Sequence, residues 1–178
     1  LFAGAATSWN IFSGYTGYIS LGHAAFYGLG AYALALICQD WKIPGGYVPL
    51  FLLPLAGVAA AISAIPIGWL ALHTRRQTFV VVTLSIFVIL QLLAFNLPNL
   101  THGSAGIFLP NPPWSSDTFD TPFYYAALII LVLALVVSWV IRNSKYGLGL
   151  LAIRDDEDRA LGLGVKTGAY KLSSYVIS

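Results

Sequence analysis

Four consecutive carboxylates, Asp155, Asp156, Glu157 and Asp158, stand between Arg154 and Arg159. The chemistry this run suits is electrostatic: capping a helix start and pairing with cations. Elsewhere His23 is the one histidine inside an apolar run, and Thr83 and Gln91 are polar members of another. His23 fits either a neutral hydrogen-bonded group between helices or a residue lining a transport path. Thr83 and Gln91 fit interhelical hydrogen bonds. No acid pair, His/Glu metal set or activated nucleophile is present, so catalytic residues and metal ligands are expected to be none. The stretch GLGLLAIR has glycines but lacks the GK[ST] end of a phosphate-cradling loop. No cofactor is expected on this chain, and any ATP must sit on another.

The acidic run lies in the longest stretch unsuited to lipid, Arg142 to Lys171. This stretch carries six of the nine Lys and Arg residues: Arg142, Lys145, Arg154, Arg159, Lys166 and Lys171. Asp155 or Asp156 is placed to cap a short helix whose first turn is acidic. Ala160 and Leu161 continue it, and Gly162 or Gly164 is placed to end it in a left-handed cap. An isolated helix needs roughly 12–15 residues to hold in water, so this shorter one must rest on something. A docking surface for a soluble partner and a solvated loop both fit that pattern.

Of 178 residues, 58% are hydrophobic and 9% charged, against about 25% charged in soluble domains. Apolar runs approach the roughly 20 residues that cross a bilayer. Complete spans are expected at 15–38, 48–72, 78–97 and 122–141, with another beginning at 169–178. These make an all-α, polytopic integral membrane helix bundle in a single domain, and both chain ends look cut. The single cysteine, Cys38, allows no internal disulfide. No nucleic-acid signature appears. No Asp, Glu, Lys or Arg lies inside the four complete spans, which argues against a proton-coupled carrier in this part.

Within 15–38, Gly17, Ser20, Ala24, Gly28, Ala31 and Ala35 recur at spacings of 3, 4, 4, 3 and 4. On a continuous helix they share one face, where another helix can approach closely. Gly14, Gly17 and Gly22 also mark a break near its start, tolerated in a membrane only against protein or a water-filled cavity. With 142–168 placed in the cytoplasm, the His73–Gln77 turn is cytoplasmic too. Lys42 is then the one basic residue outside, and every loop obeys the positive-inside rule.

Gly14–Ala33, Thr78–Leu84, Leu100–Ile107 and Ser144–Ser178 together resemble the M-type (LivM-type) permease subunits of bacterial branched-chain amino acid ABC importers. The likeness covers nearly the whole chain. It departs where Arg76 replaces a usual glycine, where Thr78 replaces an aromatic, and where His102 precedes Gly103 in place of paired glycines. The resemblance implies a multi-pass protein of the bacterial inner membrane that moves Leu, Ile, Val or related solutes. It implies partners: ABC ATP-binding subunits that hold ATP, a second permease subunit and a periplasmic substrate-binding protein. Arg154, Asp155, Asp156, Glu157, Ala160 and Gly164 would then serve coupling to the ATPase. Gly17, Ser20, Gly22, His23, Ala24, Gly28, Thr83 and Gln91 would serve the translocation path or its packing. Thr101, Gly103 and Gly106 would shape the outer loop. A self-contained secondary carrier or channel is the alternative.

Overall fold

A computed structural model describes residues 1–43, 45–109 and 119–178. Those residues form helices and connecting turns. Helix α1 (Phe2–Trp9) runs into a π-helical turn at Asn10–Gly14. Residues 15 and 16 are still helical, and the chain is then irregular over Gly17–Gly22 until α2 (His23–Asp40). Helices α3 (Val48–Phe51) and α4 (Leu53–Ala71) follow, then α5 (Arg76–Asn96) and the short α6 (Pro98–Thr101). The remaining helices are α7 (Asp120–Arg142), α8 (Lys145–Asp155), α9 (Glu157–Gly162) and α10 (Thr167–Ile177). Among the described residues, α4, α5 and α7 are long and apolar enough to cross a membrane.

Three boundaries correct the sequence expectation. The span at 15–38 is not one helix: α2 starts at His23, and Gly17–Gly22 is irregular. The span at 48–72 comes in two pieces that meet at Leu52. Pro54 then falls in the first turn of α4, where a missing N–H costs nothing. The stretch 142–168 is not loop plus one helix, because α8 occupies eleven of its residues. Part of the outer loop, residues 110–118 with Asp117, lies outside the described residues.

Packing explains where the elements sit. Phe12, Tyr18, Ala71, Phe79 and Tyr175 form one buried cluster at the meeting of the π-turn, the break, α4, α5 and α10. Ile11, Tyr15, Ile141 and Leu150 form a second, which seats α8 beneath α7. Leu34, Cys38 and Ala56 join α2 to α4. The outward faces of α5 and α7 are apolar, with Leu92, Phe95, Ile129 and Leu133 exposed. Apolar residues in water would cost about 25 cal/mol per Å², so these surfaces are not built to face water.

The small-residue stripe divides. Gly17 and Ser20 lie in the break and not on α2. Ala24 and Ala31 are exposed, and a side chain on Gly28 would meet nothing within 4 Å. The face of α2 that meets α4 carries Gly30 instead, with the Ala56 carbonyl 3.7 Å from its Cβ position. Gly28→Leu is therefore expected to leave this chain's own packing intact, within about 0.5 kcal/mol. Thermal unfolding of the chain in detergent checks this. A loss of several degrees would mean that Gly28 faces a neighbour within the chain.

Candidate functional site

The break at Gly17–Gly22 is the first half of the site. Lipid offers no hydrogen bonds, so irregular backbone needs partners within the protein. Side chains supply them. Ser13 Oγ accepts from the Ser20 N–H at 3.2 Å, and Thr83 Oγ1 accepts from the Leu21 N–H at 3.3 Å. Trp9 Nε1 donates to the Ser20 carbonyl at 2.8 Å. Thr16 Oγ1 donates to the Phe12 carbonyl and accepts from the Tyr18 N–H. Gly17 takes φ +71°, the left-handed region that glycine enters without strain. A Cβ on Gly22 would lie 2.6 Å from the Thr83 carbonyl oxygen, so only glycine lets α5 come this close.

The second half is the joint between α8 and α9. Ser144 caps α8 by accepting from the Gly147 N–H at 3.1 Å. Asp156 caps α9, its Oδ1 accepting from the Arg159 N–H at 3.0 Å. At the far end the Gly164 N–H bonds the Leu161 carbonyl and the Val165 N–H bonds the Ala160 carbonyl. With Gly164 at φ +85°, this is a Schellman closure. Ala160 is buried, whereas Asp158, Arg159, Leu161 and Leu163 are exposed. Helix α9 is thus capped at both ends, seated by Ala160, and presents an outer face.

Polar contacts link the two halves. Lys171 is 5% exposed, and its Nζ donates to Glu157 Oε1 at 2.5 Å. The Tyr18 hydroxyl donates to Glu157 Oε2, and Lys171 Nζ also reaches that hydroxyl at 3.3 Å. Lys171 Nζ lies 4.6 Å from the Tyr18 ring centroid and Arg76 Cζ lies 5.7 Å from it. The Arg76 guanidinium donates to the Ile153 and Arg154 carbonyls at 2.7 and 2.6 Å. A cation there meets the negative end of the α8 dipole. Arg154 Nη1 in turn donates to the Gly14 carbonyl at 3.1 Å. Partial burial alone would raise the Glu157 carboxyl, but hydrogen bonds from Lys171 and Tyr18 and the nearby cations hold it below its ordinary range.

The structure brings Arg154, Glu157, Gly17, Ser20, Gly22 and Thr83 into this one region. Asp155 ends α8 and caps nothing; Asp156 is the cap. His23 Nε2 bonds Ser178 Oγ at 2.8 Å, a side chain and not a backbone carbonyl. His23 Nδ1 is buried with no hydrogen-bond partner among the described residues. Gln91 is exposed on α5, and Ala24 and Gly28 face away from the region. At the opposite end Thr101 Oγ1 bonds the Ala94 and Leu97 carbonyls and accepts from the Gly103 N–H. His102 and Gly106 take positive φ there, so His102 holds a conformation that favours glycine.

Three residues of the site escaped the sequence reading: Tyr18, Arg76 and Lys171. Lys171 had a signal. Thr167, Lys171 and Ser174 share the buried face of α10, and a lysine there requires an acid nearby. Arg76 stands where the resembled family has glycine, so the likeness pointed away from it. Tyr18 reads as one aromatic among many.

In class, the chain is a helical, multi-pass membrane protein in which a short capped helix is bound to a broken segment. The family model for the branched-chain amino acid transport system, permease component, matches residues 1–178. The chain belongs to that family. It is 29% identical over 197 aligned residues to the high-affinity branched-chain amino acid transport system permease protein LivM of Escherichia coli (strain K12). The same figures hold for LivM of Salmonella typhimurium (strain LT2). In both cases the match covers 95% of this chain and 45% of the relative's length. No solved structure matches the chain.

Proposed function

We propose that this chain is the membrane-spanning part of an ATP-driven importer for branched-chain or related amino acids, seated in the bacterial inner membrane. Helix α9 is its docking point for a separate ATP-binding subunit. The observation that carries this reading is the outer face of α9. Leu161 and the C-cap residue Leu163 are 60% and 83% exposed beside Asp158 and Arg159, at the end of a helix locked at both ends. Apolar side chains with a charged rim are how protein interfaces are built. A second permease subunit and a periplasmic binding protein complete the assembly. The exposed apolar faces of α5 and α7 suit a neighbouring subunit or lipid.

The break at Gly17–Gly22 lies on the translocation path in this reading, with Ser20, Gly22, His23 and Thr83 around it. The groove between α2 and the outer loop, of ≈ 580 Å³, is lined by Cys38, Lys42, His102 and Phe108 among others. It opens toward the periplasm, where the binding protein delivers solute.

The test has two arms. With Cys38 replaced by alanine, single cysteines at Leu163 and Phe108 are probed on intact cells with an impermeant thiol reagent. Labelling is expected at 108 and not at 163; the reverse pattern removes the docking argument. In the second arm, the complete permease is reconstituted with and without its ATPase partner, and labelled leucine uptake is followed. Uptake that needs ATP and the partner is expected. Uptake by the permease alone would favour a channel or secondary carrier.

A further inference from the structure

The polar junction between α9 and the break has separable parts. The Glu157 carboxylate is neutralised by Lys171, whose ammonium lies 2.5 Å from Oε1. The phenol of Tyr18 is not needed for that neutralisation. It takes the other carboxylate oxygen and so joins residues 139 apart in sequence. Tyr18 belongs to the break, where the N–H groups of Tyr18, Ser20 and Leu21 are tied by side chains at 3.2–3.3 Å and not by a helical ladder. Such a segment changes shape more readily than a helix. Glu157 is the first residue of α9, a helix too short to move independently of whatever holds it.

We propose that Tyr18 is the positioning residue that transmits displacement of α9 to the Gly17–Gly22 break, with Glu157 as its contact on the docking helix. This rests on the importer reading above. The Tyr18 ring is clamped: Phe79 lies edge-on at 5.5 Å, and Lys171 and Arg76 approach it at 4.6 and 5.7 Å. A pull on the hydroxyl therefore moves the whole residue and the backbone on either side. Gly17 beside it already lies against the Arg154 side chain, 3.2 Å from Cγ to its Cβ position. Movement of the α8–α9 joint reaches the break at two adjacent residues. Arg76 binds the end of α8 and covers the same ring, so the joint and the break share one cation.

The experiment uses the complete complex in proteoliposomes and reads leucine moved per ATP hydrolysed. Tyr18→Phe keeps the ring and its packing and removes the hydroxyl, with its bond to Glu157 and its longer contact with Lys171, while leaving the Lys171–Glu157 pair in place. The ratio is expected to fall about fivefold or more, the lower range of a coupling between two sites. Loss of assembled complex alone would lower uptake and hydrolysis together and leave the ratio unchanged. Glu157→Gln is the companion variant. Its amide oxygen still accepts from Lys171 and its amide N–H donates to the Tyr18 hydroxyl oxygen. The link to Tyr18 survives while the charge is gone, so complex yield falls but the ratio stays near wild type. An unchanged ratio in Tyr18→Phe overturns the proposal. So does a ratio lost in Glu157→Gln and kept in Tyr18→Phe, because the ion pair would then be the link. If Tyr18→Phe yields no complex, Glu157→Leu removes the acceptor from the other side of the same bond. A ratio that falls there and not in Glu157→Gln supports the link, and an unchanged ratio overturns it. A wild-type complex with no ATP-driven uptake would instead sink the importer reading, whatever the variants do.

Discussion

Lys171→Ala is expected to destabilise the protein by about 3 kcal/mol, the lower end of the range for breaking a buried ion pair. The lower end applies because the Glu157 side chain is 30% exposed while that of Lys171 is 6% exposed. Without the ammonium, Glu157 keeps its charge, its contact with Tyr18 and some water. The amine stem also leaves a gap beneath α9. Replacing both partners, Glu157→Leu with Lys171→Met, removes the stranded charge and should recover most of the loss. Thermal unfolding in detergent gives both numbers, and a double-mutant cycle isolates the pair. Lys171→Ala as stable as wild type would mean the pair is solvated and holds nothing.

The same pair sets a pH dependence. Partial burial works against the Glu157 charge, but Lys171, Tyr18 and Arg76 face it, and the net effect lowers its carboxyl in the folded state. A lowered carboxyl contributes stability that is fully present above the unfolded-state value of 4.5. That contribution is lost as pH falls through the lower folded value. Wild type should therefore lose stability on acidification below about pH 4.5 more steeply than Glu157→Gln.

Some of this was legible without coordinates. The apolar runs place α4, α5 and α7 because a 20-residue run has few other uses. The cap residues of α9 are legible because Asp156 and Gly164 act locally, through backbone groups a few residues away. The break was visible as three glycines, although glycines alone leave open whether a helix bends or stops. What stayed hidden depends on distant parts of the chain. Whether Glu157 faces a partner or Lys171 is decided by where α10 packs. The outer side of α9 and its cap is accordingly Asp158, Arg159, Leu161 and Leu163, not the acid nearest the helix start. Helix α8 was missed because its glycines lower helix propensity, while its Leu150 and Ile153 gain their stability from burial against the core.

The glycine at 147 carries the other large expected effect. It lies in the first turn of α8, directly under the end of α7. A Cβ there would sit 2.1 Å from the Ile141 carbonyl oxygen, 2.9 Å from the Ile141 carbonyl carbon and 3.2 Å from Arg142 Cα. All three are backbone atoms, so no rotamer change relieves the contact. The Gly147 N–H is also the one that Ser144 caps. Any shift that frees the Cβ loosens that cap, worth about 1 kcal/mol. Overpacking itself costs about 1–3 kcal/mol, so Gly147→Ala is expected to lose about 2–4 kcal/mol. Relief requires α8 to swing away from α7, which would carry Ile153 and Arg154 off the Arg76 guanidinium. The α8–α9 joint should then become mobile while α4 and α5 stay folded. Hydrogen exchange followed by mass spectrometry resolves this, with faster exchange expected across 145–164 and little change across 80–96. Unchanged exchange at 145–164 would show that the α7–α8 turn absorbs a methyl group, and that the close approach at 147 is not what fixes α8.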